Sequence, residues 1–135
     1  MKRIVMMIMC VVMAISLFGC GQSNEQKYMS LRNEVETEMK AYDKLVASIP
    51  DHTKGTYAVS KEEFRAKYLP YYEKSLPEIE AIQKKVMPKL EEMEKLAKND
   101  VKLKTDFEKF APKNLKVLQS AIRVAKRNIE RYKSY

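Results

Sequence analysis

Glycine is scarce in this chain. The 135 residues hold three, and two of them, Gly19 and Gly21, flank Cys20. A single internal glycine, Gly55, leaves few positions for the tight turns of hairpins, which argues against a sheet and for long helices. It also excludes a glycine-rich phosphate loop. Histidine is scarcer still, with His52 alone. A zinc site, or a nucleophile with an oriented base, needs several such groups together, so His52 reads as an exposed loop residue. Cysteine occurs twice, at Cys10 and Cys20. Cys10 lies in an apolar run near the N-terminus, so no disulfide staples the rest and helix packing must hold it. No Ser elbow is present. Glu34, Glu36 and Glu38, like Glu91, Glu92 and Glu94, lack the Glu-x-x-His pairing of metal sites in bundles, and their spacing spreads them around a helix as solvated faces. These patterns advertise no catalytic centre, metal site, cofactor or small-molecule substrate, and the chain reads as non-enzymatic.

The N-terminus is more explicit. Lys2 and Arg3 precede an uncharged apolar run from Ile4 to Phe18, closed by the small Gly19. Basic start, short apolar middle and small final residue are the three parts of an export signal. The run falls short of the ~20 residues that span a bilayer. Leu17-Phe18-Gly19-Cys20 resembles the signal of bacterial lipoproteins, in which the cysteine after the small residue is acylated. Phe18 departs from that pattern, which prefers a small residue there. The resemblance covers residues 1–21 and carries nothing about the domain beyond them. It implies cleavage before Cys20, lipid of the palmitate type on Cys20, and a place on the outer side of the cell membrane or on an outer membrane. In a two-membrane envelope, Gly21 rather than Asp after the cysteine points to the outer one. The chain then divides into a signal peptide (1–19), a lipid-anchored tether (20–22) and a helical bundle (23–135).

Within the bundle, Ser23 and Gln26 form a capping box, as do Ser60 and Glu63, where Val59 and Phe64 add a hydrophobic staple. Tyr28, Leu31, Val35, Met39, Tyr42, Val46 and Ile49 recur at steps of three and four, the stripe of a first helix that Pro50 ends. Residues 50–59 read as a loop. Pro70, Pro77 and Pro88 lie roughly opposite a second stripe running from Tyr68 to Ala97, so they sit on the outer face and curve the helix. Ser75-Leu76-Pro77-Glu78 offers a further helix start, which predicts a short helix over 61–69 and a long one from 76. After Lys98-Asn99-Asp100, Thr105 and Glu108 offer another start. Leu115, Leu118, Ile122, Ala125, Ile129 and Tyr132 then keep a heptad rhythm, with Pro112 kinking the helix or opening its long part. The expectation is an all-α antiparallel bundle of three long helices, with proline kinks and a short extra helix and coiled-coil-like packing.

Acidic residues are missing where basic ones gather. From residue 109 onward eight Lys and Arg face Glu130 alone. At 100° per residue, Lys109, Lys113, Lys116, Arg123, Arg127 and Arg131 share one face opposite the apolar stripe. Such a ridge attracts anionic lipid, acidic wall polymer or an acidic protein. Nucleic acid is not expected outside the cytoplasm. Four of eight tyrosines, Tyr57, Tyr68, Tyr71 and Tyr72, cluster around Pro70, and Tyr71 lies off the stripe as a candidate contact. Together these features predict a membrane-anchored envelope lipoprotein acting as a binding or adaptor module. The alternative is a carrier or binder of a lipid or an anionic envelope polymer.

Overall fold

The computed structural model describes residues 21–50 and 60–135. They form three helices: α1 (Asn24–Ala47), α2 (Lys61–Ala97) and α3 (Val101–Lys133). No strand occurs among the described residues. Both expected capping boxes are present. The Ser23 hydroxyl accepts from the Gln26 N–H at 3.2 Å, and the Gln26 side chain accepts from the Ser23 N–H at 3.1 Å. Ser60 and Glu63 repeat this at 3.1 and 3.0 Å. Val59, the expected staple partner of Phe64, lies outside the described residues, as do Cys20, His52 and Tyr57.

Three boundaries differ from the expectation. Helix α1 stops at Ala47, before Pro50, where Ser48 caps it by donating its hydroxyl to the Leu45 carbonyl at 2.6 Å. The separate short helix over 61–69 does not exist, because α2 runs unbroken through Pro70, Pro77 and Pro88. A proline inside a helix costs about 3 kcal/mol, largely through a lost hydrogen bond and a clash with the preceding turn. Here all three prolines are exposed, and so are Ala66, Glu73 and Lys84, four residues before them, whose carbonyls lose a donor. Water can serve those carbonyls. A break would instead take Tyr72 and Ser75 out of the buried stripe they share with Tyr68 and Ile79. Ser75 is no cap; it is buried in the helix and donates to the Tyr72 carbonyl at 3.3 Å. Likewise Thr105 does not start α3. The Asp100 carboxylate accepts from the N–H groups of Lys102 and Leu103 at 2.9 and 3.0 Å, and a charged acceptor at the cap is the stronger signal. Pro112 lies inside the same helix.

The core has two parts. The larger joins Tyr28 and Val35 of α1 to Val86, Leu90 and Met93 of α2 and Leu103 and Leu118 of α3. The smaller is aromatic: Tyr132 of α3 stands 5.2 Å from Phe64, 6.4 Å from Tyr68 and 5.9 Å from Tyr72, measured between ring centres. Among the described residues two polar side chains are buried, Ser75 and Asn128. Asn128 hydrogen-bonds with Tyr72, so its amide is not stranded.

Ion pairs mark the register. Lys27 meets Glu92 at 2.9 Å, Glu34 meets Lys89, and Glu38 meets Lys85 at 3.4 Å, so numbers rise along α1 as they fall along α2. Between α2 and α3, Glu80 meets Lys126 at 3.1 Å and Glu73 meets Lys133 at 3.0 Å. The start of α1 meets the start of α3 through Glu25 and Lys102 at 3.1 Å. These pairs are largely solvated, so each adds little to stability and serves mainly to mark register. Packing against α2 supplies most of the contact, and α1 touches α3 far less.

One α1–α3 contact among the described residues is part-buried and joins three side chains. The Tyr28 hydroxyl donates to Asp106 Oδ2 at 2.8 Å, and Arg32 Nε donates to the same oxygen at 3.2 Å. The Arg32 guanidinium also lies 4.7 Å over the Phe110 ring. Burial, then the bond to Asp106, push the Tyr28 phenol well above the ordinary tyrosine value of 10.0, while Arg32 acts the other way. Burial also raises Tyr42, Tyr72 and Tyr132. Above pH ~10 the unfolded chain releases these protons and the folded chain retains them, so stability falls as pH rises further. Thermal unfolding should therefore lose midpoint temperature above about pH 10. Tyr28→Phe should cost about 1 kcal/mol at neutral pH through the lost bond and flatten the alkaline fall. An equally steep fall in the variant would assign the alkaline loss to other groups.

Candidate binding surface

Helix α3 carries the candidate surface on its outer side. Its buried residues Leu103, Ala111, Leu118, Ala125 and Tyr132 recur every seven or eight positions, which fixes one side against the core. The opposite side carries Lys109, Lys113, Lys116, Arg123, Arg127 and Arg131, and all six are exposed. From Lys109 to Arg131 the row extends ~33 Å at 1.5 Å per residue. The two other cations of this stretch, Lys126 and Lys133, turn sideways to pair with Glu80 and Glu73 of α2. None of the six forms an ion pair with a described residue, whereas Lys27, Arg32, Lys85, Lys89 and Lys102 all bridge helices. Other described cations, among them Lys40, Lys74, Lys84, Lys98 and Lys104, form no ion pair either, so what sets the six apart is that they share one face of a single helix. A shallow groove of 450 Å³ runs beside the row, where Arg123 and Arg127 stand with Gln119 and with Gln83 of α2.

Tyr71 is 43% exposed on α2 next to Pro70, off the α3 face. Tyr68 and Tyr72 turn inward to Tyr132, so the tyrosine cluster of the sequence divides into a packed pair and one surface ring. Of the acidic groups weighed as metal ligands, Glu34, Glu36 and Glu38 face Lys89, Arg32 and Lys85. Among the described residues, no group of three or more His, Cys, Asp or Glu could hold a metal ion. Among them, too, no helix is long and apolar enough to cross a membrane.

A second surface feature was not apparent from periodicity. Val46 of α1 and Val117 and Val124 of α3 are 38%, 36% and 37% exposed, and all three line one groove of 540 Å³ between these helices. Val117 and Val124 are seven residues apart, on the shoulder between the apolar stripe and the basic row. That interval was the available signal, masked by the stronger heptad from Leu115 to Tyr132. No family model, curated protein or solved structure compared with this chain matches it.

Proposed function

We propose that this chain is a lipid-anchored envelope lipoprotein, a non-catalytic binding module that presents the basic face of α3 to an anionic partner. The observation that carries the reading is the gathering of six exposed cations on one face of α3, in a stretch whose one acidic residue is Glu130. An outer face needed only for solubility would accept mixed charges, such as those on α2. The row instead sums its fields in one direction.

The anchor is part of the same proposal. Acylation of Cys20 would leave Gly21 and Gln22 between the lipid and the Ser23 cap. The domain would then stand close to the bilayer as an antiparallel bundle, with the outer-face prolines curving α2 around the core. Glu25 pairs with Lys102, so an anchor at Cys20 would lie near the start of α3. On this arrangement Lys109, Lys113 and Lys116 lie toward the head groups, on the cell membrane or an outer membrane. Arg123, Arg127 and Arg131 project away from it toward the partner. The anchor is tested by growing cells with labelled palmitate. Label should enter the wild-type chain and be absent from Cys20→Ser, which should accumulate as uncleaved precursor. Equal labelling of the variant would refute the anchor.

A further inference from the structure

We propose that the groove between α1 and α3 is the seat of a partner's amphipathic helix, acidic along the edge that faces α3. The inference rests on the reading of the basic face as a binding surface and gives that surface its partner class.

The groove exists because α1 and α3 are linked at their starts, through Glu25–Lys102 and Tyr28–Asp106, and touch little elsewhere. Farther along, the walls are Tyr42, Val46 and Ile49 of α1 and Val117, Ala121 and Val124 of α3, with Ile79 of α2 in the floor. Both walls step by three and four residues. That is the spacing by which a helix inserts side chains between two others, knobs into holes. Ala121, with Ser120 beside it in the lining, is small and lies between the two valines, so an incoming backbone can come close. The groove is therefore the open position of a four-helix arrangement rather than a closed ligand cavity.

Charge selects the occupant. Lys113, Lys116 and Arg127 lie on the solvent side of Val117 and Val124 at 100° per residue, and the row runs on to Arg131. From Lys113 to Arg131 it spans ~27 Å, parallel to the groove. An anionic amphiphile with one head group would be held by cations gathered at one mouth. Cations before and after the lined stretch, from Val117 to Ala125, match a helix of about 18 residues with acids toward both ends of one edge. The α1 edge carries Asp43 instead, so the partner's other edge is neutral or basic. A second copy of this chain would bring a second basic row against the first, which disfavours self-association.

The test uses the full lipidated chain in phosphatidylcholine nanodiscs and two fluorescent probes of equal length. One is a synthetic 21-residue helix with Leu at heptad spacing and Glu beside it; the other is polyglutamate, which has the charge without the apolar seam. Anisotropy should show the Leu/Glu helix binding at least ~10-fold more tightly than polyglutamate. Val117→Asn with Val124→Asn should abolish that excess and leave polyglutamate binding and helical content unchanged. If polyglutamate binds as well as the helix, or the double variant keeps the excess, the groove is not the seat while the basic face still stands. If neither probe binds, both readings fall. Two further results would overturn the inference. One is a wild-type dimer that the double variant dissociates; the other is poor labelling of Val124→Cys in the unbound chain, the sign of a groove already filled by its own residues 51–59.

Discussion

Converting Arg123, Arg127 and Arg131 to Glu should weaken binding to a polyanion by about 100-fold and leave the fold intact. Each basic residue held at an anionic surface contributes up to about 1 kcal/mol, so losing three removes ~3 kcal/mol, or two decades of affinity. Reversal adds repulsion, and imperfect contact subtracts from the gain, so the two corrections oppose each other. Stability should change by less than about 1 kcal/mol. None of the three pairs with a described carboxylate, so no bridge is broken. The main cost is a negative charge near the C-terminus of α3 at position 131. Wild-type binding should also weaken steeply as salt rises, because exposed charges are screened over ~10 Å at 0.1 M. Anisotropy with polyglutamate and thermal unfolding by circular dichroism measure the two quantities on the same samples. Unchanged affinity with a changed midpoint would make the row a structural element.

Leu118→Ala should do the opposite. Leu118 is fully buried on the inner side of the same helix, in the cluster that includes Tyr28, Val86 and Met93. Truncating a buried Leu removes its transfer energy and leaves a cavity, at 2–5 kcal/mol; about 3 is expected here. Domains of this size are stable by 5–15 kcal/mol, so that loss is a large share. With α1 buried only at Tyr28 and Val35, its second half has little to hold it once the core loosens. Chemical denaturation should show a lower midpoint, and hydrogen exchange should quicken first at the α1 end near Ala47. Polyglutamate affinity should stay within twofold at temperatures where the variant is folded. A loss below 1 kcal/mol would mean that the bundle repacks freely around position 118.

Much of this was legible because it is local. The Ser23 and Ser60 capping boxes depend on side chains three residues apart, and both form. The inner stripe of α2 and the outer row of α3 follow from helical period alone. What escaped was set by competition between distant parts. Whether Pro70 and Pro77 break a helix depends on how well Tyr68, Tyr72 and Ile79 pack when it continues, and no local motif reports that. Thr105 and Asp100 both resemble caps, and the choice fell to the carboxylate that reaches two N–H groups. No sequence motif marked Asn128 as buried, yet it lies inside and hydrogen-bonds with Tyr72 of α2. The groove was the hardest to foresee. Val46 belongs to a regular stripe, and only the parting of α1 from α3 leaves it half-covered.

The central claim is that the α3 face meets a partner while the lipid holds the chain at the membrane. Site-specific photo-crosslinking on intact cells tests it most directly. The probe would stand at Ser120, in the groove lining between Val117 and Val124, with a control at the exposed Lys84 of α2. The account predicts a discrete crosslinked species from position 120, none from position 84, and loss of the first when Arg123, Arg127 and Arg131 are Glu. Equal crosslinking from both positions, or a species that survives charge reversal, would contradict it.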